Sequence, residues 1–404
     1  VIGAFLYQNN LGNKGVCGTF HLMEKDLKNL NVLQVTAALH EGGVERGTVE
    51  MSRFLVAQNC GSFVASAGGQ MVPELLKDGG VHFQLPLKNR NPVSIIYSAL
   101  RLVTVIQRNN IKLVHARSRA PAWAAFLAAK WTNTPFVTTF HGTHKIQNNL
   151  KKFYNSSMVR GERVIAISQF IKDHVVKHYG VDPQKVDIAH RGVDPRKFDP
   201  SALSQAEVDA MKKAWHVEDK VVITLPGRLT RWKGQVPFIK ALAELKGDPS
   251  WHALIVGGAG KKTAYKKELE NLIEQLGLKT RVTLTGGQAN IPPFYAMSDV
   301  IVSASSEPEA FGRVAIEAGA MKKPVIATAH GGSLETVQHE QTGLLVPVDD
   351  VETMAKMLRG FLKGDYNKGQ MGEKAYAWVQ NTFTVEKMCQ AEWEAYHKIL
   401  GEES

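Results

Sequence analysis

Short apolar, β-rich runs alternate with helical stretches along this chain, and they do so in two series separated by one break. The first series holds NVLQVTA, GSFVASAG, VHFQLP, KLVHARS, PFVTTFHG, RVIAIS and VDIAH. Between them, segments such as VSIIYSALRLVTVIQRN and APAWAAFLAAKWT place apolar residues at the three- and four-residue spacing of a helix. Near-continuous apolar strands that alternate with helices require a parallel sheet covered on both faces. The rhythm breaks at GVDPRKFDPSALSQAEVDAMKKAWHVEDK, where Pro195 and Pro200 interrupt the chain before a polar helix. It restarts with VVITLPGR, HALIVGG, RVTLTGG, DVIVSAS, KPVIATA and TGLLVPV.

The expected fold is therefore α/β, with two Rossmann-like doubly wound parallel-sheet domains facing a central cleft. Residues 1–30 are set aside as an N-terminal extension of unclear role. Residues 31–200 form the first domain, and 201–380 the second. Residues 381–404 form a C-terminal helix packing back on the first domain. Open parallel sheets bind ligands at the carboxyl ends of their strands, and a cleft between two of them is a favoured ligand site.

Bulk properties exclude several classes. The chain has 404 residues, 44% hydrophobic and 22% charged, as in ordinary globular proteins. No apolar run approaches the roughly 20 residues needed to span a bilayer, and the opening VIGAFLY lacks a basic flank, a poor signal peptide. Cys17, Cys60 and Cys389 are few and far apart, so they read as reduced thiols filling core in a cytoplasmic protein. Net charge is +11, and residues 32–200 alone carry +11, against +1 before them and −1 after. That asymmetry suggests an anionic partner for the first half, with solubilising charge as the plainer reading.

Two stretches of the second half carry chemistry. In LPGRLTRWKG, Gly227 allows a tight exit from the sheet, and Arg228 and Lys233 are cations just beyond the strand end. A guanidinium fork and a mobile ammonium suit a diphosphate, although a solvated basic loop would look the same. In DVIVSASSEPEAFGRVAIEAGAM a strand runs into a helix starting at Gly312, whose free N–H groups favour an anion. Glu309 precedes that terminus and Glu317 lies about one and a half turns inside it. Carboxylates flanking a phosphate position suit sugar hydroxyls: Glu317 for the ribose, Glu309 for the transferred sugar. The alternative is a helix cap at Glu309 and a surface acid at Glu317.

GRLTRWKG, EPEAFGRVAIEAGAMKKPVIATAHGGSLE and TGLLVP resemble the retaining glycosyltransferases of family 4, which have the GT-B fold. The span Glu309–Glu317 matches that family's pair of glutamates with seven residues between them, GGVER resembles its glycine loop, and TTFHG its active-site histidine. The resemblance runs from residue 32 to about 400, and it is strongest to bacterial enzymes of lipopolysaccharide and surface-glycan synthesis.

It implies roles by position. Gly42 and Gly43 let backbone approach the donor diphosphate or the acceptor. His141 contacts the donor sugar, Arg228 and Lys233 hold the diphosphate, and Phe311 and Gly312 offer backbone groups to the sugar. Glu335 is expected to be structural, as is His330. Where the family commonly has Pro-Asn before Gly-Val-Asp, this chain has His190 and Arg191, whose role stays open, while Asp194 matches.

The implied chemistry is transfer with retention, from a nucleotide-diphosphate sugar to a glycan or glycolipid acceptor. Fixed cations stabilise the leaving diphosphate, and no metal or cofactor is expected. From the strand-end rule, His115, Arg117 and Arg119 are acceptor-side candidates. A small soluble acceptor such as a sugar phosphate or inositol is the nearest alternative, and a non-catalytic sugar-nucleotide scaffold a more distant one. A nucleic-acid binder is disfavoured, because no recognisable motif for one is present. The expected location is cytoplasmic, with the basic first domain in peripheral contact with anionic membrane at the inner face.

Overall fold

The computed structural model describes residues 30–40, 42–143, 148–260 and 263–401. The extension expected over residues 1–30, with Cys17, lies outside them apart from Leu30. The first half runs β1 (Asn31–Val35), α1 (Gly43–Ala57), β2 (Gly61–Ser66), α2 (Val72–Lys77), β3 (Val81–Gln84), α3 (Pro92–Arg108), β4 (Leu113–Ala116), α4 (Arg119–Thr132), β5 (Phe136–Phe140), α5 (Asn149–Asn155), β6 (Arg163–Ala166), α6 (Gln169–Tyr179) and β7 (Val186–Ile188). The second runs α7 (Gln205–Ala214), β8 (Val221–Pro226), α8 (Gln235–Ala243), β9 (Trp251–Val256), α9 (Thr263–Gln275), β10 (Val282–Gly286), α10 (Pro292–Met297), β11 (Val300–Ser303), α11 (Arg313–Ala320), β12 (Val325–Thr328), α12 (Ser333–Thr336), β13 (Gly343–Val346), α13 (Val351–Lys363), α14 (Lys368–Thr382) and α15 (Val385–Leu400).

The strands form two sheets, of seven strands in the order β3-β2-β1-β4-β5-β6-β7 and six in the order β10-β9-β8-β11-β12-β13. The pairings within both sheets are parallel. The apolar runs explain this: β4, β5, β11 and β12 are buried along their whole length, so each needs helices on both faces. Strand order reverses between β1 and β4 in one sheet and between β8 and β11 in the other. Such switch points open a crevice at the carboxyl ends of the strands, where ligands bind.

The chain passes between the sheets twice, and the passages are tied together. The Val193 N–H donates to the Phe383 carbonyl at 2.9 Å, and Val193 pairs with Thr384 in a parallel bridge. Gly192 is packed so closely there that a Cβ would sit 2.5 Å from the Val385 nitrogen. After the second passage α15 lies against the first sheet. Its Met388, Cys389, Ala395 and Tyr396 share a buried cluster with Val32, Leu55, Leu113 and Ile165. The N-terminus of α7 is fixed by a reciprocal Ser204–Glu207 capping box.

Candidate active site

The loops leaving the two switch points hold most of the residues singled out from the sequence. After β8, Gly227 turns the chain, and Arg228 is exposed just beyond the strand end. Lys233 follows on a single helical turn, with Gly234 as the N-cap of α8. Gly234 has φ 69°, and a Cβ would fall 1.7 Å from the Ala304 carbonyl oxygen, so the loop after β8 closes directly on the loop after β11.

That closure brings the two motifs into contact. Lys233 Nζ donates to Glu309 Oε1 at 2.5 Å, and Ser305 Oγ donates to the same oxygen at 2.6 Å. The side chains of Lys233 and Glu309 are 15% and 13% exposed. The cation expected on the diphosphate and the carboxylate expected on the sugar therefore stand side by side. Lys233 also lies 4.4 Å from the centre of the Trp232 ring. His330 packs beneath this cluster, with Nε2 2.7 Å from the Ser305 carbonyl oxygen and 3.0 Å from Thr328 Oγ1.

Gly312 caps α11 with φ 87°. The segment leading into it is held by neighbours: Gly331 and Gly332 press against the Glu309–Phe311 backbone, and a Cβ on Gly332 would sit 2.4 Å from Phe311 Cα. The Phe311 ring is buried 5.9 Å from the His190 ring and 5.6 Å from Phe383. On α11, Glu317 accepts from the buried Tyr295 hydroxyl at 2.9 Å and pairs with Arg313 at 3.3 Å. Burial, with the Glu317 charge beside it, pushes the Tyr295 phenol well above its ordinary value, so it stays a donor. Ionised carboxylate oxygens keep spare acceptor capacity after one bond each.

Across the cleft, the glycine loop begins α1. Gly43 is close enough to Arg313 that a Cβ would meet the guanidinium at 3.0 Å. The residues left open in the sequence have definite places. Arg191 is buried and donates to the Gly43 carbonyl, and Gly47 leaves it room, since a Cβ there would sit 2.0 Å from Arg191 Nη2. Burial, and then the nearby Arg117, push the Arg191 guanidinium down to about 10. His190 Nε2 lies 3.0 Å from Glu335 Oε2. Glu335 also accepts from the Gln169 and Phe170 N–H groups at 2.7 and 2.9 Å, so one carboxylate of the second domain caps α6 of the first. Ser168 adds a bond of 2.6 Å to the Ala310 carbonyl.

A cavity of about 940 Å³ opens between the domains, lined by Gly42, Gly43, Arg46, Asp194, Gln288 and Arg313 among others. The Lys233–Glu309 pair lies outside that lining. His141 follows directly on β5 and is half-buried. Among the described residues, no three His, Cys, Asp or Glu side chains stand together as a metal site.

Two expectations are overturned. His115 and Arg117 do not face an acceptor, because both are 0% exposed. His115 bonds Tyr396 at 2.7 Å and Thr139 at 2.6 Å. Arg117 forms a bidentate pair with Glu392 at 2.6 and 2.9 Å and also reaches Gln34 at 3.0 Å. Alternation along a strand puts residues i and i+2 on one face, and here that face is covered by α15. Arg119, at the start of α4, donates to Asn155 at 3.0 Å. Ser305, Tyr295 and Arg313 were not singled out from the sequence. Only their placement beside a strand end or on the same face as Glu317 marks them.

Comparison with known proteins agrees with this geometry. Residues 41–197 match the family model "Glycosyltransferase Family 4", and residues 208–378 match "Glycosyl transferases group 1". A crystal structure of a glycosyltransferase from Rickettsia africae ESF-5 superimposes with a TM-score of 0.86 at 36% identity, covering 93% of this chain and 100% of that one. The N-acetyl-alpha-D-glucosaminyl L-malate synthase of Bacillus anthracis is 27% identical, covering 76% of this chain and 79% of its own length. The D-inositol 3-phosphate glycosyltransferase of Rhodococcus opacus (strain B4) is 30% identical over 62% of this chain, but the match spans only 59% of that relative.

Proposed function

The chain belongs to glycosyltransferase family 4, and from that premise we propose that it moves a hexosyl group, with retention, from a nucleotide-diphosphate sugar to a membrane-anchored glycan or glycolipid of bacterial surface-polysaccharide synthesis. The observation that carries the reading is the Lys233–Glu309–Ser305 cluster beside the Gly312 terminus of α11. A cation, a hydroxyl-accepting carboxylate and a helix N-terminus at one switch point suit the junction between a sugar and its diphosphate.

In this reading the nucleoside enters the cavity beside Gln288 and Arg313, and Glu317 takes the ribose hydroxyls. Arg228, Lys233 and the α11 terminus take the charge that develops as the sugar–phosphate bond breaks, being fixed in place before reaction. Glu309 grips the transferred sugar from one side, with His141 reaching it from the first domain. The acceptor hydroxyl attacks from the face the diphosphate leaves, and a leaving phosphate oxygen takes its proton. No metal is assigned, because two cations already oppose the diphosphate. A cytoplasmic location, with contact at the inner membrane face, follows from the acceptor. Among the described residues, no helix is long and apolar enough to cross a membrane.

A second reading keeps the chemistry and changes the acceptor. The Bacillus and Rhodococcus relatives are named for L-malate and D-inositol 3-phosphate, which favours a small soluble acceptor. Calorimetry against UDP-, GDP- and ADP-sugars, with and without EDTA, tests the donor site, and NMR of the product's anomeric configuration tests retention. Glu309→Ala is expected to abolish transfer while the fold survives. Full activity in that variant removes Glu309 from the sugar site.

A further inference from the structure

Between Asp78 and Glu162 the chain has no aspartate or glutamate, while twelve lysines and arginines fall in that interval. The interval builds β3, α3, β4, α4, β5 and α5. Arg117 among them is buried against Glu392, but a surface that the others leave this one-sided in charge draws an anionic partner. The same elements also leave large apolar side chains outside. Val93, Ile96, Tyr97 and Leu100 follow helical spacing on the outer side of α3, opposite the buried Ala99, Leu102 and Ile106. Leu150 on α5 is 78% exposed and Phe153 58%.

These side chains border a groove of about 840 Å³ between α3, α4 and α5, with Ile95, Trp123, Leu127 and Leu150 in its walls and Arg90 and Lys151 at its rim. The Arg160 guanidinium lies 5.0 Å from the centre of the Trp123 ring and 5.7 Å from Phe153, leaving a cation at the edge of the aromatic wall. Exposed aliphatic and aromatic side chains ringed by lysine and arginine are the composition of an interfacial membrane surface. Phosphate-tracking nucleic-acid grooves need stacking rings and cations, and exposed Val93 and Leu150 serve neither purpose.

We infer that the α3–α4–α5 face seats on a bilayer of anionic phospholipid, with Val93 and Leu150 inserted and an acyl chain lodged in the groove. This rests on the proposed transfer to a membrane-anchored acceptor and specifies the surface that makes it possible. Helix α5 is the next helix in the chain after β5 and His141, which places the bilayer on the acceptor side of the cleft.

The test is flotation of the full chain with vesicles of phosphatidylcholine alone and of an equimolar mixture with phosphatidylglycerol. Binding is expected only on the mixed vesicles. It should fall at least about tenfold in Val93→Ser/Leu150→Ser, from loss of inserted apolar area, and likewise in Lys151→Gln/Lys152→Gln. No flotation on either vesicle, equal flotation on both, or undiminished binding of Val93→Ser/Leu150→Ser would overturn the inference. So would displacement by polyuridylate that ignores the apolar substitutions, which would mark a nucleic-acid surface instead. Nucleotide-sugar calorimetry on the same proteins separates the two levels. Intact donor binding with failed flotation removes this surface alone, whereas absent donor binding removes the catalytic reading beneath it.

Discussion

Replacing Glu392 by alanine tests whether the first domain is bolted to α15 by a buried ion pair. Arg117 and Glu392 are 0% and 1% exposed and share two hydrogen bonds. Burial pulls the Arg117 guanidinium down, but Glu392 outweighs it and holds the group above its ordinary value. Without the carboxylate, a permanent cation is left in the core, with Gln34 at 3.0 Å and His115 Nδ1 at 3.4 Å as side-chain partners and Arg191 as a neighbouring cation. Removing one partner of a buried pair costs about 3–5 kcal/mol, mostly because the other charge stays desolvated.

Urea unfolding at neutral pH, followed by far-ultraviolet circular dichroism, should show that loss. Replacing both partners by apolar residues of similar volume, Arg117→Met/Glu392→Leu, should recover stability to within about 1 kcal/mol of the parent. The double variant should also keep transfer activity, because the pair lies under α15 rather than in the cleft. A cost below about 1 kcal/mol for Glu392→Ala would refute the described burial. A folded but inactive double variant would return Arg117 to the acceptor site.

Three further outcomes follow from the same geometry. Lys233→Ala should weaken nucleoside-diphosphate binding about ten- to a hundredfold, the worth of one charge-assisted bond of about 1.5–3 kcal/mol, and calorimetry reads it directly. Gly332→Ala should cost about 1–3 kcal/mol and depress transfer, since its Cβ would displace the Phe311 backbone, whereas Gly247→Ala, with nothing within 4 Å of the new carbon, should be near neutral in thermal melts. At Glu335, burial pushes the carboxyl up, but bonds from His190 and the Phe170 and Gln169 N–H groups outweigh it and hold the group below its ordinary 4.5. A depressed carboxylate stabilises the fold fully above its unfolded value and loses that contribution as pH falls below it. Glu335→Gln should therefore melt lower than the parent at pH 7, and the gap should close as pH drops below about 4.5.

Central strands such as β11 and β12 were legible because they are short, nearly all apolar and bounded by polar turns, so burial on both faces is written into one local run. The switch-point loops were legible for a related reason. A glycine or a charged residue just past an apolar run has few places to be other than the mouth of the sheet. Hence Gly227, Arg228, Lys233, Glu309 and Gly312 all emerge at the carboxyl ends of β8 and β11. What each touches was not legible. Lys233 and Glu309 meet across 76 positions because Gly234 lets two loops close, and Ser305 joins them from the strand end just before Glu309, where its residue type alone does not single it out.

The misplacement of His115 and Arg117 has a sharper cause. The strand-end rule fixes how far along a strand a residue lies, and it carries no information about which face the side chain takes. In a sheet covered on both sides, each face belongs to a different helix, and the one over β4 arrives from α15, 275 residues later. A polar pair at alternate positions of a buried strand is thus ambiguous between an open cleft and a distant polar partner. The deciding residue here is Glu392, an acid inside the apolar stripe of the last helix, flanked by the buried Met388, Cys389, Ala395 and Tyr396. An unpaired carboxylate there would be costly, so its position in the helix period demanded a buried cation elsewhere in the chain, and Arg117 supplies it.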